Sequence, residues 1–549
     1  MVVNNDANQN GVATQAQRSE QQIPATHGWK EVKKTGTKRP PAAKKRRWVL
    51  GVVIVLLLVM LIFATLRMSI IATDSNDQLQ VNIGNQQTAI VDLRQALPIS
   101  PDLFGVNVFP ETGTNSVDKT FSGFMDYSSK IIDGLTNINV KLLRFPGGEW
   151  GEQHTLSLQQ LNDFSALLNQ VGADGMVQAR LSGAADLTQR VNLAGQWVDY
   201  MNNPHSPLRT GANAHAPFHP IKFWSVGNEP DRLINPATGK PYTVADYVNA
   251  FIAYSKFMHQ NDPTIKVFGP EISQFYGVGA GPTDSFGNLW MEGFLKGVGD
   301  YERANHVILL DGVSFHRYQF ADASQSPDML MSSPDEWDYL LPSLQQLIRQ
   351  DLGRDVPIAV TEINSNPTNA VPTPGIASLW WADTLGRLMS QQVAYVGFFS
   401  TEGVERPYPL FTADNLQQTP MFRVMQLYSH LQSNLVPIQV QREPISIYAT
   451  QDDSHQTVSF IFINKSNTLQ LAQVRAQNQF FGISPWHDLD ITLLGYSIVV
   501  VTLHRGAGAE AYSFVAPTID DPTVRQLNHT ICGNKTDSLA NSPENYIPC

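Results

Sequence analysis

Four short apolar runs in this 549-residue chain end in side chains that can move protons or carry charge. "VKLLRF" at 140–145 delivers Arg144 just before "FPGGEWG", and "IKFWSV" at 221–226 runs straight into Gly227, Asn228 and Glu229 of "WSVGNEPD". "DGVSFHRY" at 311–318 closes on His316, Arg317 and Tyr318, and "PIAVTEI" at 357–363 carries Glu362, followed by Asn364. Two carboxyls in one site can divide the labour: one keeps a proton to give away, and the other stays ionised to attack or to face a developing positive charge. An arginine or a tyrosine hydroxyl nearby favours the ionised form. That chemistry requires the four runs to end at the same place.

The elements between them supply such an arrangement. Short apolar runs alternate with longer amphipathic ones, the pattern of a parallel sheet wrapped by helices. Besides the four above, strands are expected at "LFGVNV" (103–108), "GMVQARL" (175–181), "IKVFGP" (265–270) and "AYVGFFS" (394–400). Between them lie helical segments such as "TVADYVNAFIAYSKFMHQ", with Val244, Tyr247, Val248 and Phe251 on one face and Thr243 with Asp246 as a capping box. Eight strands with intervening helices define an α/β fold of the (β/α)8 TIM-barrel type, in which functional groups project from the C-terminal strand ends. An open doubly wound sheet is the alternative, but no G-x-G-x-x-G or P-loop follows any strand. In the barrel, strands two, four, six and seven bring two carboxylates, a histidine, a tyrosine and an arginine to one rim. Taken singly, each has a plainer reading: a solvated rim glutamate, a satisfied polar histidine, an arginine serving as an ion-pair partner inside the barrel.

Past about Pro437 the texture changes to strands and turns, as in "ISIYATQDDSHQTVSFIFINKSNTLQLAQVRA" and "GYSIVVVTLHR". This marks a C-terminal antiparallel β-sandwich. The expected organisation is a disordered basic tail (1–47), a single transmembrane helix (48–71), a polar stalk (72–87), the catalytic barrel (88–430), the β-sandwich (431–515) and a C-terminal tail (516–549). The early strand 88–93, "TAIVDL", is a candidate to join the β-domain.

The uncharged run "WVLGVVIVLLLVMLIFAT" (48–65) underlies the membrane expectation. A cleaved signal peptide is the competing reading, set aside because the leader is long and no A-x-A-like site follows. Ten Lys and Arg against three acids precede the run, so the N-terminus is expected on the cytoplasmic side with the remainder extracellular. Removing that +7 from the total of −11 leaves −18 for residues 48–549, which argues against a nucleic-acid partner. The only cysteines, Cys532 and Cys549, are placed to close a disulfide in the tail, and so few thiols argue against a zinc site. Neither metal nor cofactor is expected.

"WSVGNEPD", "SFHRY" and "AVTEINS" resemble the strand-four, strand-six and strand-seven motifs of the clan A glycoside hydrolases, with families 39, 51 and 79 nearest in flavour. These comprise xylosidases and iduronidases, arabinofuranosidases, and glucuronidases with heparanase. The resemblance spans roughly residues 88–505. It implies a retaining glycosidase on carbohydrate, with Glu229 as acid/base and Glu362 as nucleophile. It further implies Asn228 gripping the sugar 2-hydroxyl and His316 lining the pocket, while Arg144 or Tyr318 would keep Glu362 ionised. Glu229 would hold its proton through partial burial and the charge of Glu362. Many clan members end strand eight in tryptophan. Here the run is "GFFSTEGVERPYPLF", so Phe399 or Tyr408 would take that place. A catalytically inactive glycan-binding or wall-attachment protein and a transglycosylase are the competing functions.

Overall fold

In a computed structural model, the described residues are 78–84, 86–111, 123–368, 372–402, 408–438, 443–476, 488–533, 543 and 546–549. The run Trp48–Thr65 and the basic tail lie outside them. Among the described residues no helix is long and apolar enough to cross a membrane.

Eight parallel strands close into a barrel: Phe104–Asn107, Leu142–Phe145, Asp174–Ala179, Phe223–Val226, Lys266–Ile272, Gly312–Tyr318, Ile358–Asn364 and Tyr395–Phe398. They are called strands one to eight below. Side chains alternate across a strand, so residues two apart share a face. Leu142, Met176, Phe223, Phe268, Ala359 and Tyr395 form a small apolar cluster of their own. Their immediate sequence neighbours Leu143, Val177, Trp224, Val267 and Val360 belong instead to the large cluster shared with the helices. The first set therefore fills the barrel interior and the second faces outward. Gly105 makes room for that filling, since a Cβ there would meet the Tyr395 ring. Two residues further along the interior face come Asn107, Arg144, Gln178, Ser225 and Thr361. An apolar floor thus carries a buried polar storey, which leads to the rim.

The helices follow their sequence signals. Val244–Asn261 starts with both halves of the capping box between Thr243 and Asp246, and buries Val244, Tyr247, Val248 and Phe251.

Two antiparallel sheets complete the fold. One has four strands, joining the hairpin Gln78–Ile83 and Gln86–Asp92 to Gln470–Ala476 and Asp488–Leu493. The other has seven, built around Ile445–Gln451, Thr457–Asn464 and Ser497–His504. Leu79, Val81 and Val474 of the first share a core with Ile447, Phe460 and Val501 of the second, as a sandwich requires. The opposite face of the larger sheet, with Tyr448, Ile461 and Val500, packs into the barrel's outer core. The helix Pro374–Ser390 meets it there: Gly386 lies so close to the Tyr448 ring that a Cβ would collide, and Asp383 accepts from the Tyr448 hydroxyl (2.5 Å) and Lys465 Nζ (2.8 Å). In the C-terminal tail, Asn528–Ile531 adds an edge strand to the larger sheet, and Cys532 and Cys549 are disulfide-bonded.

Candidate active site

Strand four ends in a sharp turn that only its sequence permits. Gly227 has φ 76°, and Glu229 itself is left-handed at φ 46°. That conformation is uncommon for a residue with a Cβ, and it is held by a hydrogen bond from Glu229 N to the Glu271 carbonyl (2.8 Å). Glu271 is left-handed as well, at φ 58°. Two adjacent strand ends thus turn together, and each aims a carboxylate toward the barrel axis.

Arg144 stands fully buried at the centre of the polar storey. Its Nη1 donates to Asn107 Oδ1 (2.8 Å) and Glu362 Oε1 (2.9 Å), and its Nη2 to Asn228 Oδ1 (2.8 Å) and Glu271 Oε2 (2.9 Å). One guanidinium thereby ties together strands one, two, five and seven and the end of strand four. Desolvation works against this charge, but the carboxylates of Glu271 and Glu362 outweigh it and push the Arg144 pKa up. Burial likewise pushes Glu271 up, yet the Arg144 charge and the His316 contact prevail and hold it at about 2.

His316 is also fully buried, with Nδ1 3.1 Å from Glu229 Oε1 and 3.4 Å from Glu362 Oε2, and Nε2 3.3 Å from Glu271 Oε2. Tyr318 donates its hydroxyl to Glu362 Oε2 (3.0 Å). Glu229 Oε2 pairs with Arg232 Nη1 (3.0 Å), whose side chain is 65% exposed. Burial raises the Glu229 pKa, but the hydrogen bond and charge of His316 and the charge of Arg232 overcome it and leave Glu229 below the usual carboxylate range. Burial therefore acts on Glu229 in the expected direction, but in the unliganded protein the contacts from His316 and Arg232 act against it and outweigh it.

A cavity of about 730 Å³ opens above this layer. Asn228, Glu229, Tyr318 and Glu362 line it, with Arg232, Glu149, Glu152 and His154 adding polar groups and Phe109, Phe124, Trp150 and Phe399 apolar ones. All six residues singled out from sequence converge, but at two depths. Arg144 and His316 lie beneath the cavity and are not among its lining. Phe399 reaches the wall, whereas Tyr408 does not line it and donates its hydroxyl to the Pro372 carbonyl (3.0 Å).

Sequence reasoning missed Glu271, Asn107, Trp150 and Arg232. Glu271 carried a usable signal: "VFGPEI" is a third strand end closing on glutamate, hidden because Gly269 and Pro270 read as a stop.

Glu229, His316 and Glu362 place one ligand-type atom each within 4.8 Å of one another. Arg144, Arg232 and Tyr318 already engage both of those carboxylates, so the cluster reads as a charge-compensated hydrogen-bond network. Carboxylate oxygens no more than 4.8 Å apart are compatible with the separation of about 5 to 5.5 Å at which two carboxyls attack and protonate one glycosidic bond.

Residues 157–321 match the model of glycoside hydrolase family 44, a span running from the helix after strand two through strand six. No curated protein sequence matches the chain. Among solved structures, the α-L-arabinofuranosidase of Thermotoga maritima superposes with a TM-score of 0.57 at 17% identity, over 80% of this chain and 94% of that one. CelM2, a bifunctional glucanase-xylanase from a metagenome library, gives 0.54 at 13% identity over 75% and 97%. A family 44 xyloglucanase of Paenibacillus polymyxa gives 0.52 at 14% over 75% and 98%. The fold is that of these enzymes. With the family-model match, it defines the class as a clan A (β/α)8 glycoside hydrolase. Family 51 was among the families the motifs suggested; family 44 was not.

Proposed function

We propose that this chain hydrolyses glycosidic bonds of a polysaccharide with retention of configuration, Glu362 attacking the anomeric carbon and Glu229 acting as acid and then base. The observation that carries the reading is that an oxygen of each carboxylate lies within 4.8 Å of one of the other in one cavity, which suits the separation of about 5 to 5.5 Å of a retaining pair better than the about 6.5 to 9.5 Å of an inverting one. Glu362 is oriented for attack, because Arg144 and Tyr318 both donate to its carboxylate oxygens. Glu229 receives its proton when substrate enters and displaces the exposed Arg232, which removes one of the cations that favour its ionised form. Asn228, fixed by Arg144, faces the sugar at the 2-hydroxyl position. Trp150, Phe124 and Phe399 offer apolar faces to neighbouring sugars.

The two cavity carboxylates distinguish this function from glycan binding alone, which needs aromatic faces and no paired acids. Transglycosylation differs only in which acceptor resolves the intermediate. The decisive experiment is Glu362→Ala with azide: hydrolysis is lost, and azide restores turnover with a product of opposite anomeric configuration. Inverted product from the unmutated enzyme contradicts the retaining mechanism.

The apolar run 48–65 and its basic flank support a single-pass anchor with the hydrolase outside the cell. Protease added to intact cells then removes the folded domain and leaves a protected N-terminal fragment. An N-terminal tag cleaved under those conditions overturns this topology.

A further inference from the structure

The catalytic reading uses Glu229 and Glu362 and leaves a third buried carboxylate without a task. Glu271 has no exposed surface and is not part of the cavity lining. Its Oε2 accepts from Arg144 Nη2 (2.9 Å) and Thr361 Oγ1 (3.0 Å), and His316 Nε2 stands 3.3 Å away. An ionised carboxylate can only accept hydrogen bonds, and a neutral imidazole has one N–H to give. Yet carboxylate oxygens face both nitrogens of His316. In the unliganded protein Glu271 Oε2 already accepts from Arg144 and Thr361, and Glu229 Oε2 from Arg232, so both carboxylates face the ring as acceptors. The ring must therefore donate from both sides.

We propose that Glu271 is a positioning residue that holds His316 as an imidazolium between the two catalytic carboxylates, where it balances the negative charge that passes from one to the other. The inference rests on the hydrolase reading and adds to it. When Glu362 bonds to the anomeric carbon and Glu229 gives its proton to the departing oxygen, the negative charge leaves Glu362 and arises on Glu229. When water attacks, its proton goes to Glu229 and the released Glu362 regains the charge. The Nδ1–H of His316 lies 3.1 Å from Glu229 and 3.4 Å from Glu362. A cation at that point serves both stages without moving, a form of electrostatic preorganisation.

The charged and titratable groups that face the ring are Glu229, Glu271 and Glu362. Behind them stand Arg144 on Glu271 and Glu362, Arg232 on Glu229, and the Tyr318 hydroxyl on Glu362, with Tyr395 in the apolar floor. Burial disfavours the charged ring, but Glu362, Glu229 and Glu271 together raise His316 to about 10. That agrees with the geometric requirement.

The test follows the ring's own protonation, so it does not depend on turnover. Nitrogen-15 spectra of histidine-labelled full chain are recorded from about pH 5 to about pH 8, the window in which an ordinary histidine titrates. The His316 signals are identified by their loss in His316→Gln. In the unmutated protein both ring nitrogens stay protonated throughout. In Glu271→Gln the ring titrates inside that window, and kcat/KM acquires a new alkaline limb falling about tenfold per pH unit. Glu271→Asp, which keeps the charge, restores the ring to its protonated state. A ring in the unmutated protein that is neutral at pH 8 overturns the proposal, whether or not Glu271→Gln folds. A ring still charged in folded Glu271→Gln overturns the role of Glu271. Absence of hydrolysis on every glycan would instead sink the catalytic reading while leaving the spectra to stand alone.

Discussion

Replacing Gly148 with alanine probes how tightly Glu362, the proposed nucleophile, is seated. Gly148 opens the segment after strand two with φ 69° and ψ −130°, a region open essentially to glycine alone, so a side chain there costs about 1 to 3 kcal/mol. A Cβ at this position would also stand 2.7 Å from Glu362 Oε1, the same oxygen that accepts from Arg144 at 2.9 Å. The carboxylate must yield by several tenths of an ångström or lose its arginine. Displacements of about 1 Å in reacting groups cost on the order of 100-fold in rate. Gly172 is the matched control: it caps a helix at φ 74°, and no heavy atom lies within 4 Å of the Cβ it would gain. Gly172→Ala costs about 1 to 2 kcal/mol of stability and leaves turnover alone. Thermal melts together with kcat on an activated aryl glycoside separate the two effects. Both variants melt earlier, and only Gly148→Ala loses activity, on the order of 10-fold in kcat for a shift of several tenths of an ångström. A Gly148→Ala enzyme within about twofold of the parent refutes the claim that this glycine exists to seat Glu362.

Arg232→Gln removes a cation from Glu229, which favours the protonated carboxyl, so the alkaline limb of kcat/KM moves to higher pH; an unmoved limb contradicts the pairing seen here. Glu402 is pushed up to about 7 by burial, against a backbone hydrogen bond from Asp126 and with the charge of Asp126 adding to the rise. Its folded-state pKa exceeds the unfolded value of about 4.3, so the stability it contributes is complete below that pH and is lost as pH climbs through about 7. Melting temperatures of Glu402→Gln across this range should flatten relative to the parent, and parallel curves would show the burial to be inconsequential.

Much of this fold was legible because its two periods are strong. Runs such as "IKFWSV" and "PIAVTEI" announce buried strands, and the Thr243 and Asp246 pair announces a helix start that the structure reproduces. The rim could be read because strand ends are where a barrel exposes its chemistry. What escaped were relations through space. Nothing in the local pattern says that Arg144 and His316 lie under the cavity rather than in its wall, since depth depends on how strands are staggered around the barrel. Likewise Arg232 looks like an ordinary loop cation until its distance to Glu229 is known. The environment of Glu229 escaped for the same reason: burial can be guessed from a strand end, whereas the His316 and Arg232 contacts that oppose it cannot.

The hairpin Gln78–Ile83 and Gln86–Asp92 has a consequence for how the protein comes to be. Its partner strand is Gln470–Ala476, and Asn82 bonds to Gln473 across 391 positions of sequence. At about 5 to 20 residues per second, that partner leaves the ribosome roughly 20 to 80 s after the hairpin does. Throughout that interval Leu79, Val81 and Val91, all without exposed surface in the finished protein, have no core to enter. The barrel can close while the hairpin waits, because all of its strands lie between the two halves of the sheet. The order of synthesis thus leaves the hairpin with an open strand edge until the C-terminal strands arrive, and an open edge is a template on which a nascent chain can pair with a neighbour.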